Sequence, residues 1–153
     1  MKSMRWSAAL AAMVTSCLVL AAGGLQYPSD WRSWQHVKSM VIPDKKHGLY
    51  GFHHVYVQPK ALEAFKAGKG YPEGATLVVP FYDVVESGGA TTQGPLLKVA
   101  VMKRDKAAKD TGGWQYGAFD PAGKAIELDV KAGCHTCHEA KKDREFVYSE
   151  WAP

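Results

Sequence analysis

Residues 134–138 run Cys-His-Thr-Cys-His, and only 15 residues follow them in a chain of 153. Two thiols three positions apart stand on one side of a helical turn, and the residue after the second is a histidine. This C-x-x-C-H spacing is that of covalent haem attachment of the c type. Cys134 and Cys137 would each form a thioether to one vinyl group, and His138 would be the proximal ligand of the iron. One covalently bound haem c makes a strong demand on the fold, because the rest of the chain has to close an apolar slot over a flat macrocycle. Three other chemistries use paired cysteines. A disulfide needs only the two thiols. A redox dithiol normally follows a strand in a βαβ unit, and no such unit precedes Cys134. A zinc site would need His135 or His138 together with distant ligands such as His47, His53 or His54, since there is no second CxxC and no HxxxH. His135 is a spacer within the motif and is expected to be exposed.

The first 24 residues carry Lys2 and Arg5, then an apolar run of small residues from Ser7 to Ala22, then Ala21-Ala22-Gly23-Gly24. That order is expected of a secretory signal peptide over residues 1–24, leaving a haem domain over residues 25–153. The run is shorter than the ~20 residues that cross a bilayer core. Lipid anchoring at Cys17 is the less favoured alternative, because Leu18 to Leu20 stay apolar where a mature lipoprotein would turn polar. Cleavage near Gly24 removes Cys17 and leaves Cys134 and Cys137 as the mature cysteines, in a periplasmic or otherwise exported setting. Removing Lys2 and Arg5 from the 19 basic residues leaves 17 against 15 acidic ones, a net of +2. That balance is too weak and too scattered for nucleic-acid binding.

The mature chain shows no repeat, no linker and no low-complexity tract. Ser29 or Asp30 behind Pro28, with Trp31, Trp34, Val37 and Met40 at helical spacing, predicts a helix ended by Pro43. A basic loop follows over 44–48. Tyr50 to Gln58 reads as a strand, Lys60 to Ala67 as a short helix ended by Gly68, and Thr76 to Val85 as a second strand. Pro80 cannot donate a ladder hydrogen bond, so this strand is expected to be an edge or to be bulged there. Leu96 to Met102 and Trp114 to Phe119 supply two more strands, with a turn at 120–123. A helix is expected over 133–142. The class is therefore α+β, mainly antiparallel β-sheet with a few short helices, and the haem motif lies on the short C-terminal helix.

Three segments together resemble a known family. Phe52-His53-His54-Val55-Tyr56-Val57 stands before a proline and a short helix. Tyr71-Pro72-Glu73-Gly74 leads into a strand. The tail reads CHTCHEAKKDREFVYSEWAP, with Lys142-Asp143 and Phe146-Val147-Tyr148. From Pro28 to Pro153 the chain is similar to the cytochrome P-460 superfamily. The resemblance implies an antiparallel β fold, export to the periplasm and a homodimer. In the hydroxylamine-oxidising branch a lysine is bonded to the haem edge. The matching position here is Val79, or Pro80 with a one-residue gap, and His53 stands where that branch has a distal arginine. The sequence is more like the cytochrome c′-beta branch, which lacks the cross-link, keeps a five-coordinate haem under an apolar cap, and binds nitric oxide and carbon monoxide.

Strand alternation puts His53, Val55 and Val57 on one face and Leu77, Val79 and Phe81 on another, and the resemblance aims both at the haem. Phe81 is the favoured cap residue. Phe52 is a second candidate, although it alternates away from His53. Met102, Met40 or His53 could instead supply a sixth iron ligand, and His54 is expected to be exposed. Lys141, Lys142 and Arg144 are candidates to pair the haem propionates. The function expected is binding of small gaseous ligands such as nitric oxide and carbon monoxide. The alternatives are oxidation of hydroxylamine or nitric oxide, and six-coordinate electron transfer to a redox partner protein.

Overall fold

The computed structural model describes residues 24–152. The leader over residues 1–24, including Cys17, lies outside the described residues except for Gly24. The fold is a six-stranded meander in which each strand pairs with the next, all antiparallel: β1 (Gln35–Ile42), β2 (Gly51–Val57), β3 (Thr76–Ser87), β4 (Ala90–Arg104), β5 (Trp114–Phe119) and β6 (Ala125–Ile126). A helix, α1 (Leu62–Ala67), links β2 to β3. A one-turn helix, α2 (Thr136–His138), carries the end of the cysteine motif.

The helix expected from Pro28 onward is not formed. A three-residue 3-10 turn at Trp31–Ser33 is followed at once by β1. The spacing of 31, 34 and 37 has another cause. Side chains three apart eclipse in a 3-10 turn, so Trp31 and Trp34 bury together on the outer face of the sheet with Val78, Val99 and Phe119. Val37 lies where the β1–β2 register shifts between His36 and Lys38, and it packs into the core on the opposite face. Asp30 accepts from Trp34 Nε1 at 3.1 Å and makes no side-chain cap on the backbone.

Pro80 is not on an edge strand, because β3 lies between β2 and β4. The β2–β3 pairing runs through His53↔Phe81 and resumes at Tyr56↔Val78, so it skips Pro80, where a donor is missing. The register toward β4 shifts just beyond, between Phe81 and Tyr82. The β4 strand begins earlier than its apolar run at Leu96. Gly88 and Gly89 both have positive φ, 58° and 80°, and close a two-residue hairpin that carries the ladder out to Ser87↔Ala90.

The main core lies between the inner face of the sheet, α1 and the C-terminal segment. It contains Val55, Val57, Phe65, Leu77, Trp114 and Val147. Gly68 ends α1 in the left-handed conformation, at φ 69°.

Candidate functional site

Registered pairs build the inner face of the sheet row by row. Met40, His53, Phe81 and Lys98 stand opposite one another across β1, β2, β3 and β4. Val57, Leu77, Met102 and Tyr116 form a deeper row across β2 to β5. Val79 and Ala100 pair between them. The C-terminal segment faces this wall across a cavity of about 330 Å³, and Cys134, Cys137, His138 and Tyr148 line the other side. That volume is within the range of small-molecule and cofactor sites.

The motif sits on a short helical stretch, with a wide π-helical turn at Lys131–His135 running into α2. Both cysteines are free thiols, and Cys137 is the more exposed. Burial pushes the Cys134 thiol pKa up, and the positive charge of Lys98 partly offsets this.

His138 is held by the chain that follows it. Its Nδ1 lies 2.6 Å from the carbonyl oxygen of Phe146. A carbonyl only accepts, so Nδ1 carries the proton and Nε2 keeps its lone pair. Burial lowers the His138 pKa, which keeps the ring neutral at neutral pH, and the Phe146 carbonyl only partly opposes this. The carbonyl reaches His138 because Glu145 and Phe146 both take positive φ, 49° and 67°. Two consecutive left-handed residues other than glycine cost energy. Here they are fixed by Phe146 N–H donating to Lys141 O at 2.7 Å and by Gly70 N–H donating to the Glu145 carboxylate at 2.7 Å. The Phe146 ring lies on the bare backbone of Gly112, and Arg104 Nη1 holds that loop by donating to the carbonyls of Gly112 and Gly113 at 2.9 and 3.1 Å. Tyr148 hangs its ring edge-on to His138, 5.4 Å away, and donates its hydroxyl to the Cys137 carbonyl at 2.9 Å.

A family model described as cytochrome P460 matches residues 28–149. The chain belongs to the cytochrome P-460 family. Membership of this cytochrome family implies a haem. No curated protein matches the chain significantly.

The donor set fits a haem of the P-460 family on the chain's own geometry. Two thiols and an imidazole with a free Nε2 share one wall, and the wall opposite is almost wholly apolar. Two polar atoms there, His53 Nε2 and Tyr116 Oη, are buried without a hydrogen-bond partner among the described residues. A zinc ion has a poorer fit. Among the described residues no group of three or more His, Cys, Asp or Glu is placed to hold a metal ion. His47 lies in an exposed loop, and His54 bonds Ser39 at 2.7 Å and also Gln93.

The individual side chains fall as follows. Phe81, Val79 and His53 line the cavity, as do Met40 and Met102. Phe52 does not, and as a pocket residue it is corrected: it pairs with Tyr82 on the outer face and stacks near His54, with ring centroids 5.0 Å apart. Strict alternation on β2 allows only one of Phe52 and His53 to face inward. His54 is half-buried rather than exposed. His135 is buried at 5% exposure, not exposed, because the π-helical turn folds its ring toward Phe146, 5.4 Å away. Arg144 pairs Glu150 at 3.2 Å, and Lys141 lies 5.7 Å from the Tyr148 ring centre. Lys98, Tyr116 and Tyr148 gave no sequence signal as site residues. Tyr116 comes to the wall through its pairing with Met102.

His53 also makes the fold sensitive to acid. Burial lowers its pKa below 6.5, the Tyr50 and Leu49 carbonyls pull the other way, and Lys98 and His54 add repulsion. Between the lowered native value and 6.5 the unfolded chain takes up a proton that the folded chain refuses, so stability falls as pH drops below about 6.5. Melting temperatures of holoprotein between about pH 7 and pH 5 should fall less in His53→Gln than in the wild type. An equal fall in both would contradict this origin.

Proposed function

We propose that the protein is an exported mono-haem c-type cytochrome that binds nitric oxide and carbon monoxide at an open distal site, in the manner of the c′-beta branch. Cys134 and Cys137 hold the haem as thioethers and His138 is the proximal ligand. The observation that carries this is the His138–Phe146 hydrogen bond, which leaves Nε2 unprotonated on the wall that bears both thiols. Phe81 and Val79 form the apolar side opposite, which excludes water and favours uncharged diatomic ligands. Export is supported by the leader at residues 1–24 and by the chemistry of the attachment. A homodimer and a redox partner protein complete the proposal.

The test is the absorption spectrum of the reduced holoprotein. A high-spin, five-coordinate haem that shifts on adding carbon monoxide or nitric oxide is expected. A low-spin, six-coordinate resting spectrum unchanged by either gas would contradict it. That second outcome defines the rival, an electron-transfer cytochrome, which draws support from Met40, Met102 and His53 all lining the cavity. Loss of the low-spin spectrum in Met102→Ala would then favour the rival. The remaining alternative, oxidation of hydroxylamine or nitric oxide by a cross-linked haem, rests on the family alone, since Val79 and Pro80 stand where the lysine would be. A haem peptide bonded to a third segment would revive it.

A further inference from the structure

The helical stretch behind the motif ends at Arg144 in a tight reversal. Phe146 N–H donates to Lys141 O at 2.7 Å and Glu145 N–H donates to Lys142 O at 3.2 Å, the two bonds of a Schellman turn. The left-handed position of such a turn is usually glycine. Here it is Glu145, at φ 49°. Glycine would sit there without strain, so the reason for a side chain lies in what it touches. Three consecutive side chains of this turn each land on a glycine of another loop. Arg144 Nη2 stands 3.2 Å from where a Cβ of Gly68 would be, the Glu145 carboxylate accepts from Gly70 N–H at 2.7 Å, and the Phe146 ring covers Gly112. Glu145 is half-buried, and its bond to Gly70 lies at the surface. Water can serve the Gly70 amide there nearly as well, so the bond adds little to stability. What it adds is direction. It ties the turn to a residue 75 positions away in sequence, and the Phe146 carbonyl, next along the chain, is the one to which His138 Nδ1 donates at 2.6 Å.

We propose that Glu145 is a positioning residue for His138. Its carboxylate, pinned to Gly70, fixes the orientation of the Phe146 carbonyl, and that carbonyl sets the basicity of Nε2, the atom that would bind the iron. Gly70 belongs to the loop that leads from α1 into β3. Since β2 and β3 carry His53, Val79 and Phe81, one crossover serves both walls of the cavity. The proposal rests on the haem assignment of the proposed function and names the residue that tunes its proximal ligand.

The experiment records the iron–histidine stretching band of ferrous holoprotein by resonance Raman spectroscopy, with hydrogen exchange of the Gly70 amide in the same preparations. Glu145→Gly removes the carboxylate and the backbone strain together, so it should fold about as stably as the wild type. Its Gly70 amide should exchange about tenfold faster, the scale of one charge-assisted hydrogen bond, and its band should move to lower wavenumber as Nε2 becomes less basic. Glu145→Gln, whose amide oxygen can still accept from Gly70 N–H, should hold the band near its wild-type position. An unmoved band in Glu145→Gly would overturn the proposal and leave the haem assignment standing, and so would a Glu145→Gln band displaced as far as that of Glu145→Gly. Wild-type ferrous protein with no iron–histidine band would overturn the five-coordinate haem reading and the proposal with it.

Discussion

Cys137→Ala is expected to yield protein with at least about a tenfold lower content of covalently held haem, and His138→Ala is expected to be equally defective. The reason lies in how little else grips the macrocycle. Val79, Phe81 and Leu77 on the wall facing the motif offer contact but no bond. Noncovalent burial in a cavity of about 330 Å³ supplies affinity, yet it fixes neither orientation nor permanence. Two thioethers would do both, and would leave His138 as the residue to bind the iron. Both residues are part-exposed or at the cavity wall, outside the packed core, so each variant should fold. The measurement is the ratio of haem absorbance to protein after extraction with acidified acetone, with circular dichroism to verify the fold. Normal, non-extractable haem in either variant would contradict the assignment.

The second large effect is expected at a residue far from both sulfurs. A Cβ built on Gly112 would overlap the Phe146 ring, and Gly112 also has φ of 67°, which a side chain strains. Gly112→Val combines a left-handed penalty with overpacking, so about 2–4 kcal/mol of stability should be lost. For a domain of this size that lowers the melting temperature by roughly 10 °C. The consequence for the site is more specific. Phe146 cannot retreat without moving the carbonyl that His138 Nδ1 donates to at 2.6 Å. Proximal hydrogen bonds set the orientation and basicity of a histidine ligand. The milder Gly112→Ala should therefore shift the iron–histidine stretching band of the ferrous protein even at temperatures where it is fully folded. A lower melting temperature with an unmoved band would make this loop a structural support only. Unchanged values of both would contradict the contact itself.

These two sites show what the sequence makes legible and what it hides. The motif at 134–138 can be read because its chemistry is local: five consecutive residues carry the thiols and the imidazole. The inward face of β2 and β3 can be read for a similar reason, since alternation is a property of one strand at a time, and His53, Val79 and Phe81 do face the cavity. Four of the six strands, β2 to β5, follow from apolar segments separated by glycine and proline, whereas β1 and β6 do not. What stays hidden is set by partners distant in sequence. Lys98 looks like any solvated lysine until the β3–β4 register puts it against Phe81. Gly112 looks like a loop glycine until Phe146 lies on it. Trp31, Trp34 and Val37 imitate a helix because a 3-10 turn followed by a bulge repeats every three residues too. His135 is buried because the turn carrying it is π-helical, a winding that composition does not announce.

The most direct test is mass spectrometry of the purified protein before and after acidified-acetone extraction. An intact mass greater than the polypeptide by one haem is expected, retained after extraction and mapped to a peptide containing Cys134 and Cys137. A mass equal to the bare polypeptide, or haem that washes out, would contradict it.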